Sequence, residues 1–489
     1  MSNNRRDERS VMCGDERSVT CRPERGACPE RSRREGPALL RTAALALLLA
    51  VGTSTPAGAQ LGSYNPPAGP QGTFAIRNAK IFPVSGPEIA NGTVVISGGK
   101  IQAVGTNVTV PPGAQVIDGT GLSIYPGMMD TGTSLGLSEI PQGAASTVDV
   151  AEVGSFNPNA QAIYGINPQS AHVGVARVVG ITNVISRPQG GIISGQAALI
   201  NLSGYTVPEM SVVPRAAMVI ELPSTAGRGG RGGGAAAFLA AQGGGNAQAA
   251  SLLRTRQLDS LRQMLRDADA YGKTFDAYEK DKTLPRPKHD AVLQSLVPAV
   301  RGQQPVMFPT DRAADIRAAV AFAEEMKLKP IIVGGRDAPE VAAYLKQHDV
   351  PVLFDHVLDL PSRDDDAYDI NYSAPAKLAA AGVKFAITSG DCCSEVRNLP
   401  SIAVMASEFG LSKADALKAV KLGPAQIFGV GDRLGSLDVG KIANLVVTDG
   451  DMLEARTNTR YLFIDGRLVP LDTKHTQLYD LFKGRALQP

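Results

Sequence analysis

The chain has 489 residues, 43% of them hydrophobic, with 49 Lys and Arg against 47 Asp and Glu and a formal net charge of +2. That length suffices for two or three domains, or for one large α/β barrel with additions. Basic residues are dispersed, so nothing points to nucleic acid, and 52 Gly with 33 Pro predict many turns.

Residues 1–41 read poorly as folded protein. "DERSVMCG" and "DERSVTCR" are near-copies, as in a low-complexity tail translated from a start codon placed too early. Cys13, Cys21 and Cys28 fall inside it and support no disulfide framework. Residues 42–59 read as a signal peptide, in which an apolar run behind Arg41 leads to the small-residue pattern Ala57-Gly58-Ala59. The run is too short to span a membrane, so the expectation is cleavage before Gln60, no membrane span afterwards, and a periplasmic or secreted protein. Only Cys392 and Cys393 would remain, and an adjacent pair makes a strained disulfide.

From residue 72 the texture is short alternating strands with Gly and Asn turns: "TFAIRNAKIFPV", "GTVVISGGKIQAVG", "AQVIDGTGLSIYPG". It returns only near the C-terminus, in "GSLDVGKIANLVVTDGD" and "TRYLFIDGRLV". Residues 72–126 plus 430–470 are therefore expected to form one composite β-sandwich domain. Between them, strand-like runs at 128–131, 181–186, 197–202, 217–222, 306–309, 330–334, 350–354 and 384–388 alternate with helix-like stretches. Eight such runs over residues 127–429 predict an α/β fold, a (β/α)8 TIM-like barrel. A Gly-rich insertion at 224–250 interrupts it, followed by a long charged helix that reads as a solvated surface helix, with a lid or flank as the alternative. No nucleophile elbow and no phosphate-binding loop is present.

Three stretches carry a family resemblance. They are "YPGMMD" at 125–130, "NPQSAHVGVARVVGITNVISRPQGGIISGQAALINL" at 167–202 and "GLSKADALKAVKLGPAQIFGVGDRLGSLDVGKIANLVV" at 410–447. Together they resemble the amidohydrolase superfamily over roughly residues 72–470, closest to its imidazolonepropionase-related branch. The resemblance implies hydrolysis of non-peptide C–N bonds, in an amide or cyclic amide, by Zn²⁺ or another divalent metal. Histidines on strands one, five and six and an Asp ending strand eight would hold that metal. The metal lowers the pKa of its bound water to about 7, and the Asp takes the proton.

Position by position, the expected ligands are missing. Strand one offers Gly132 and Ser134 after Asp130. Strand five offers Pro309, with Asp311 two residues on, and strand six offers Gly334. Only strand eight keeps its group, Asp391, the one candidate for both metal ligand and catalytic carboxylate. Of the histidines, His172, His289, His348 and His475 read as surface or packing residues. His356, just past strand seven, is the candidate that joins the pocket set of Asp130, Gly132, Ser134, Pro309, Asp311 and Gly334. With Asp355 and Asp391 it could build a thin oxygen-rich site. Glu221 and the Cys392-Cys393 pair are further candidate ligands, and the acidic "SRDDDAYD" at 362–369 reads as a solvated loop.

Two readings stay open on these residues. One is an exported amidohydrolase-like enzyme whose metal is absent or weakly bound. The other is a non-catalytic homologue that binds an amide-like small molecule, or joins a related active amidohydrolase in a homo- or hetero-oligomer.

Overall fold

The computed structural model describes residues 68–140, 145–223 and 247–485. The low-complexity tail, the signal segment and residues 224–246 of the Gly-rich insertion lie outside the described residues.

Strands from both chain ends form one sheet. β1 (Phe74–Ile81), β2 (Ile89–Ser97), β3 (Lys100–Gly105), β4 (Gln115–Asp118) and β5 (Ser123–Pro126) come from the first stretch. β14 (Leu445–Thr448), β15 (Thr459–Ile464) and β16 (Arg467–Val469) come from the last. Hydrogen bonding runs β16-β15-β14-β5-β1-β2-β3 with β4 beside β1, a single path where two facing sheets were expected. The junction is the antiparallel pair β5–β14, in register from Pro126↔Leu445 to Ser123↔Thr448. Ile76, Ile81, Val94, Ile96, Ile124, Leu445, Val447 and Phe463 bury one apolar layer here.

The second sheet holds β6 (Met128–Thr133), β7 (Ile181–Ser186), β8 (Ile193–Asn201), β9 (Ser211–Ile220), β10 (Val306–Thr310), β11 (Pro330–Gly334), β12 (Val352–Phe354) and β13 (Phe385–Ile387), neighbours in that order. It is a nearly closed barrel of eight strands, with one departure from the all-parallel expectation. β8 runs antiparallel to both β7 and β9. The reason is in the connection: a parallel return needs a crossover of about a dozen residues. Only "RPQGGI" separates β7 from β8, and Gly190 and Gly191 take φ of +84° and +72° to turn it. The chain makes a hairpin instead.

Among the described residues, no ladder joins β13 to β6 to close the barrel. Asp130 bridges that seam, accepting from the Thr388 hydroxyl at 2.6 Å, the Ser389 amide at 3.1 Å and the Ser389 hydroxyl. Asp130, expected as a pocket residue, is fully buried, and burial pushes its carboxyl above the usual carboxylate range against those donors. At the opposite end of β6, Lys421 is also fully buried and donates to Pro126 O at 2.5 Å, fastening barrel base to β5. Burial alone drives that amine well below its ordinary pKa.

The helix Ala247–Lys280 is a flank. Leu261, Leu265 and Ala268, at helical spacing on one side, are buried in the main core.

Candidate functional site

The strand-one motif ends at Gly132, whose φ of +103° lies where side-chain-bearing residues are strained. A Cβ there would point at Arg187, meeting its Nε at 3.7 Å and its Cδ at 4.0 Å. Arg187 follows the last residue of β7 and reaches across the mouth with its side chain only 4% exposed. Its Nε donates to Gly132 O at 3.0 Å, and its terminal nitrogen pairs with Asp391 Oδ1. Burial lowers the guanidinium's pKa, while the charges of Glu221, Asp355 and Asp311 oppose that fall. Carboxylates from the ends of β9, β10 and β12 and from the loop after β13 thus act on one buried cation.

Ser134 is buried and turned away from any metal role. Its amide and hydroxyl both donate to Asp391 O, at 3.2 and 2.5 Å. The pair ties the loop after β6 to the loop after β13. Asp391 itself is half exposed, with one carboxylate oxygen on Arg187.

The second node is His356, 8% exposed beyond β12. Its Nε2 lies 2.6 Å from Asp311 Oδ1 and 3.1 Å from Asp355 Oδ1; its Nδ1 lies 2.8 Å from Asp359 Oδ2. Both ring nitrogens face carboxylates, an arrangement that favours the doubly protonated ring, while Arg336 Nη2 also lies 3.2 Å from Nδ1. Burial disfavours that charge, but Asp355, Asp311 and Asp359 outweigh it and raise the pKa to about 10. Arg336 adds a donor to Asp359 Oδ2 at 3.0 Å. Burial, partly offset by His356, holds Asp355 above its ordinary value. Asp311 works the other way: burial would raise it, yet His356 and Arg336 bring it below. Gly334, at φ +89°, ends β11 beside this node; a Cβ there would collide with Asp311 Oδ1 and come within 3.5 Å of His356 Nε2.

The mouth therefore unites Gly132, Ser134, Asp391 and Arg187 on one side, and Gly334, Asp311, His356 and Asp355 on the other. Glu221 meets the Gly190 amide at 3.4 Å, beside the same hairpin turn that carries Arg187. Pro309 lies within β10 and brings no donor side chain. Cys393 is buried, and burial raises its thiol; Cys392 is half buried. His172 contacts Glu139 O at 3.0 Å, His348 pairs with Glu324, and His289 and His475 are exposed. In the acidic loop, Arg363 pairs with Asp337 and Glu340, and its amide donates to Asp366. Arg187, Arg336 and Asp359 were not singled out from the sequence. The available signal was a charged residue directly after an apolar strand, in "ITNVISRP".

A divalent metal does not fit these residues. Gly132, Pro309 and Gly334 have no donor, and both nitrogens of His356 already face carboxylates. The space before Gly132 holds a guanidinium. Among the described residues, no group of three or more His, Cys, Asp or Glu is arranged to hold a metal ion.

Comparison with known proteins bears on the scaffold. Residues 290–469 match the pattern of the Amidohydrolase family. The solved structure of an amidohydrolase from Thermotoga maritima MSB8 is similar over 81% of this chain and 99% of its own. Its TM-score is 0.70 at 25% identity. Another amidohydrolase structure, 18% identical, covers 81% of this chain and 98% of its own at a TM-score of 0.50. A prolidase complexed with N-methylphosphonate-L-proline, 17% identical, covers 81% and 99% at 0.49. No curated protein sequence matches.

Proposed function

Starting from a chain that carries an amidohydrolase-family domain on an amidohydrolase-fold barrel, we propose that the barrel has given up metal-assisted hydrolysis of non-peptide C–N bonds. It keeps its mouth as a binding site for an amide-like small molecule, alone or as the partner subunit of a complete relative. Its motifs at 167–202 and 410–447 favour the imidazolonepropionase-related branch as its ancestry. The sequence at 42–59 favours export, with cleavage after Ala59.

One observation carries the reading. At two of the positions where the family's imidazoles would sit, Gly132 and Gly334, the backbone lies at φ of +103° and +89°. Placing a histidine there would set an L side chain in a strained backbone at both positions. A catalytic zinc needs about three protein ligands and an open position. Asp391 alone supplies one, and it is engaged by Arg187.

The test is elemental analysis of the purified mature protein, with amide hydrolysis assayed for the wild type and Asp391→Asn. Well under one equivalent of zinc, and turnover unchanged by the substitution, are expected. One tightly held transition metal per chain would overturn the proposal. For export, an N-terminus of the secreted protein anywhere within residues 1–41 would refute cleavage after Ala59.

A further inference from the structure

Burying a guanidinium costs several kcal/mol unless its charge is met, so a 4%-exposed arginine at a barrel mouth calls for a physical account. A surface arginine would have served to cover the mouth. Instead Arg187 is threaded inward from the β7–β8 hairpin, with Nε on a backbone carbonyl and a terminal nitrogen on Asp391. Asp391 is the group the family resemblance assigns to the metal, and Gly132 is the neighbouring ligand position now left without a side chain. The charges of Glu221, Asp355 and Asp311, from three further strand ends, act on the same guanidinium.

We propose that Arg187 is the resident cation of this pocket: its guanidinium replaces the metal ion as the charge that holds the strand-end carboxylates together, and the space it fills is a guanidinium-binding site occupied by the chain itself. The inference rests on the metal-free reading above and deepens it. A planar fork suits the place better than a second-row ligand set, because guanidinium donates in fixed directions to a carbonyl and a carboxylate at once. It also follows that a small-molecule ligand is received outside Arg187, at the half-exposed carboxylates of Asp311 and Asp391.

A built-in cation pocket makes a demand that an ordinary ion pair does not: the emptied pocket should still accept a free guanidinium. Arg187→Ala should lower the melting temperature. Low-millimolar methylguanidinium should raise it again by a few °C in a saturable way, as a ligand of the folded state does. Sodium chloride or tetramethylammonium at equal ionic strength should not. The wild type should show no rise, and Arg187→Ala/Asp391→Asn should lose the rescue. Equal responses of wild type and Arg187→Ala, or rescue by every salt, would overturn the proposal. Should Arg187→Ala fail to fold, Arg187→Lys and Arg187→Met decide. The lysine must retain clearly more thermal stability than the uncharged methionine, and parity would overturn the resident-cation role. Metal content of the wild type separates the two claims. Bound metal sinks the metal-free reading, whereas a metal-free protein without rescue sinks only this inference.

Discussion

In the composite sheet, Leu445, Val447 and Phe463 from the C-terminal stretch share one apolar layer with Ile76, Ile96 and Ile124 from the first, and the β5–β14 junction between the two stretches runs in unbroken register. At the barrel mouth, glycines stand where ligands were expected and an arginine is buried among acids. The sheet departs from local rules where the chain path requires it, as in β1, whose register shifts between Ile76 and Ala79 around Asn78 at φ +58°. The mouth departs from them at Gly132, Arg187, Gly334 and His356, where its charges and expected ligands sit. Agreement across levels marks scaffold, and violations held in place by surrounding structure mark a site under other demands. The contrast can be broken at either region.

The largest effect should come from the sheet. Deleting residues 434–489 removes β14, β15 and β16, strips β5 of its partner on one edge and uncovers the layer around Ile76 and Ile124. Exposed edges and apolar faces then pair with other chains. Insoluble protein, or an aggregate by size-exclusion chromatography, is the expected result. A soluble monomer with an unchanged melting temperature would show that the two ends do not depend on each other.

Next comes an attempt to make the mouth obey the family pattern. Gly334→His forces a side chain into positive φ and onto Asp311, which should cost about 3 kcal/mol in urea unfolding. Gly132→His meets Arg187 and Val333 only at 3.7 Å, so its cost should be about 1–2 kcal/mol, chiefly from the backbone. Neither should gain zinc by elemental analysis. A stable variant holding stoichiometric metal would show that the mouth is an ordinary metal site short of one residue.

How legible these regions were follows from the same contrast. The strands at 181–186 and 330–334 coincide with the sequence expectation, because period and turn residues declare them locally. The reversed direction of β8 was readable too, in a link too short for a crossover, yet eight apolar runs favoured the simpler parallel barrel. Arg187 was not legible. Its function depends on which carbonyl and carboxylate lie across the barrel, 55 and 204 residues away in the chain. His356 was visible as a candidate, but its acidic surround needed Asp311, 45 residues earlier. Strand-end charges converge only through topology.

His356 sharpens the comparison by pH. Its pKa rises from 6.5 to about 10 on folding, so the folded state binds the proton more tightly than the unfolded chain. Its contribution is therefore fully present below pH 6.5 and fades as pH climbs toward about 10. Urea midpoints of the wild type and His356→Asn should differ most at pH 6 and converge near pH 10.5. A difference that grows with pH would mean that the ring is neutral in the fold, and the node of Asp311, Asp355 and Asp359 would need another account.

The smallest effect belongs to Ser134, the residue at the second ligand position of strand one. Its hydroxyl donates at 2.5 Å to Asp391 O, and its amide keeps a second bond to the same oxygen at 3.2 Å. Ser134→Ala removes one of the two fastenings and leaves no buried donor behind, because the hydroxyl departs with its hydrogen. A carbonyl that retains another partner loses little, so the cost should be about 1 kcal/mol. The measurement is urea unfolding paired with elemental analysis, since the two roles separate there. A fastening lowers stability and leaves metal content untouched, whereas a ligand lowers metal content first. If Ser134→Ala kept its stability and lost bound metal, strand one would be a working metal strand after all, and the contrast between sheet and mouth would fail at its first residue.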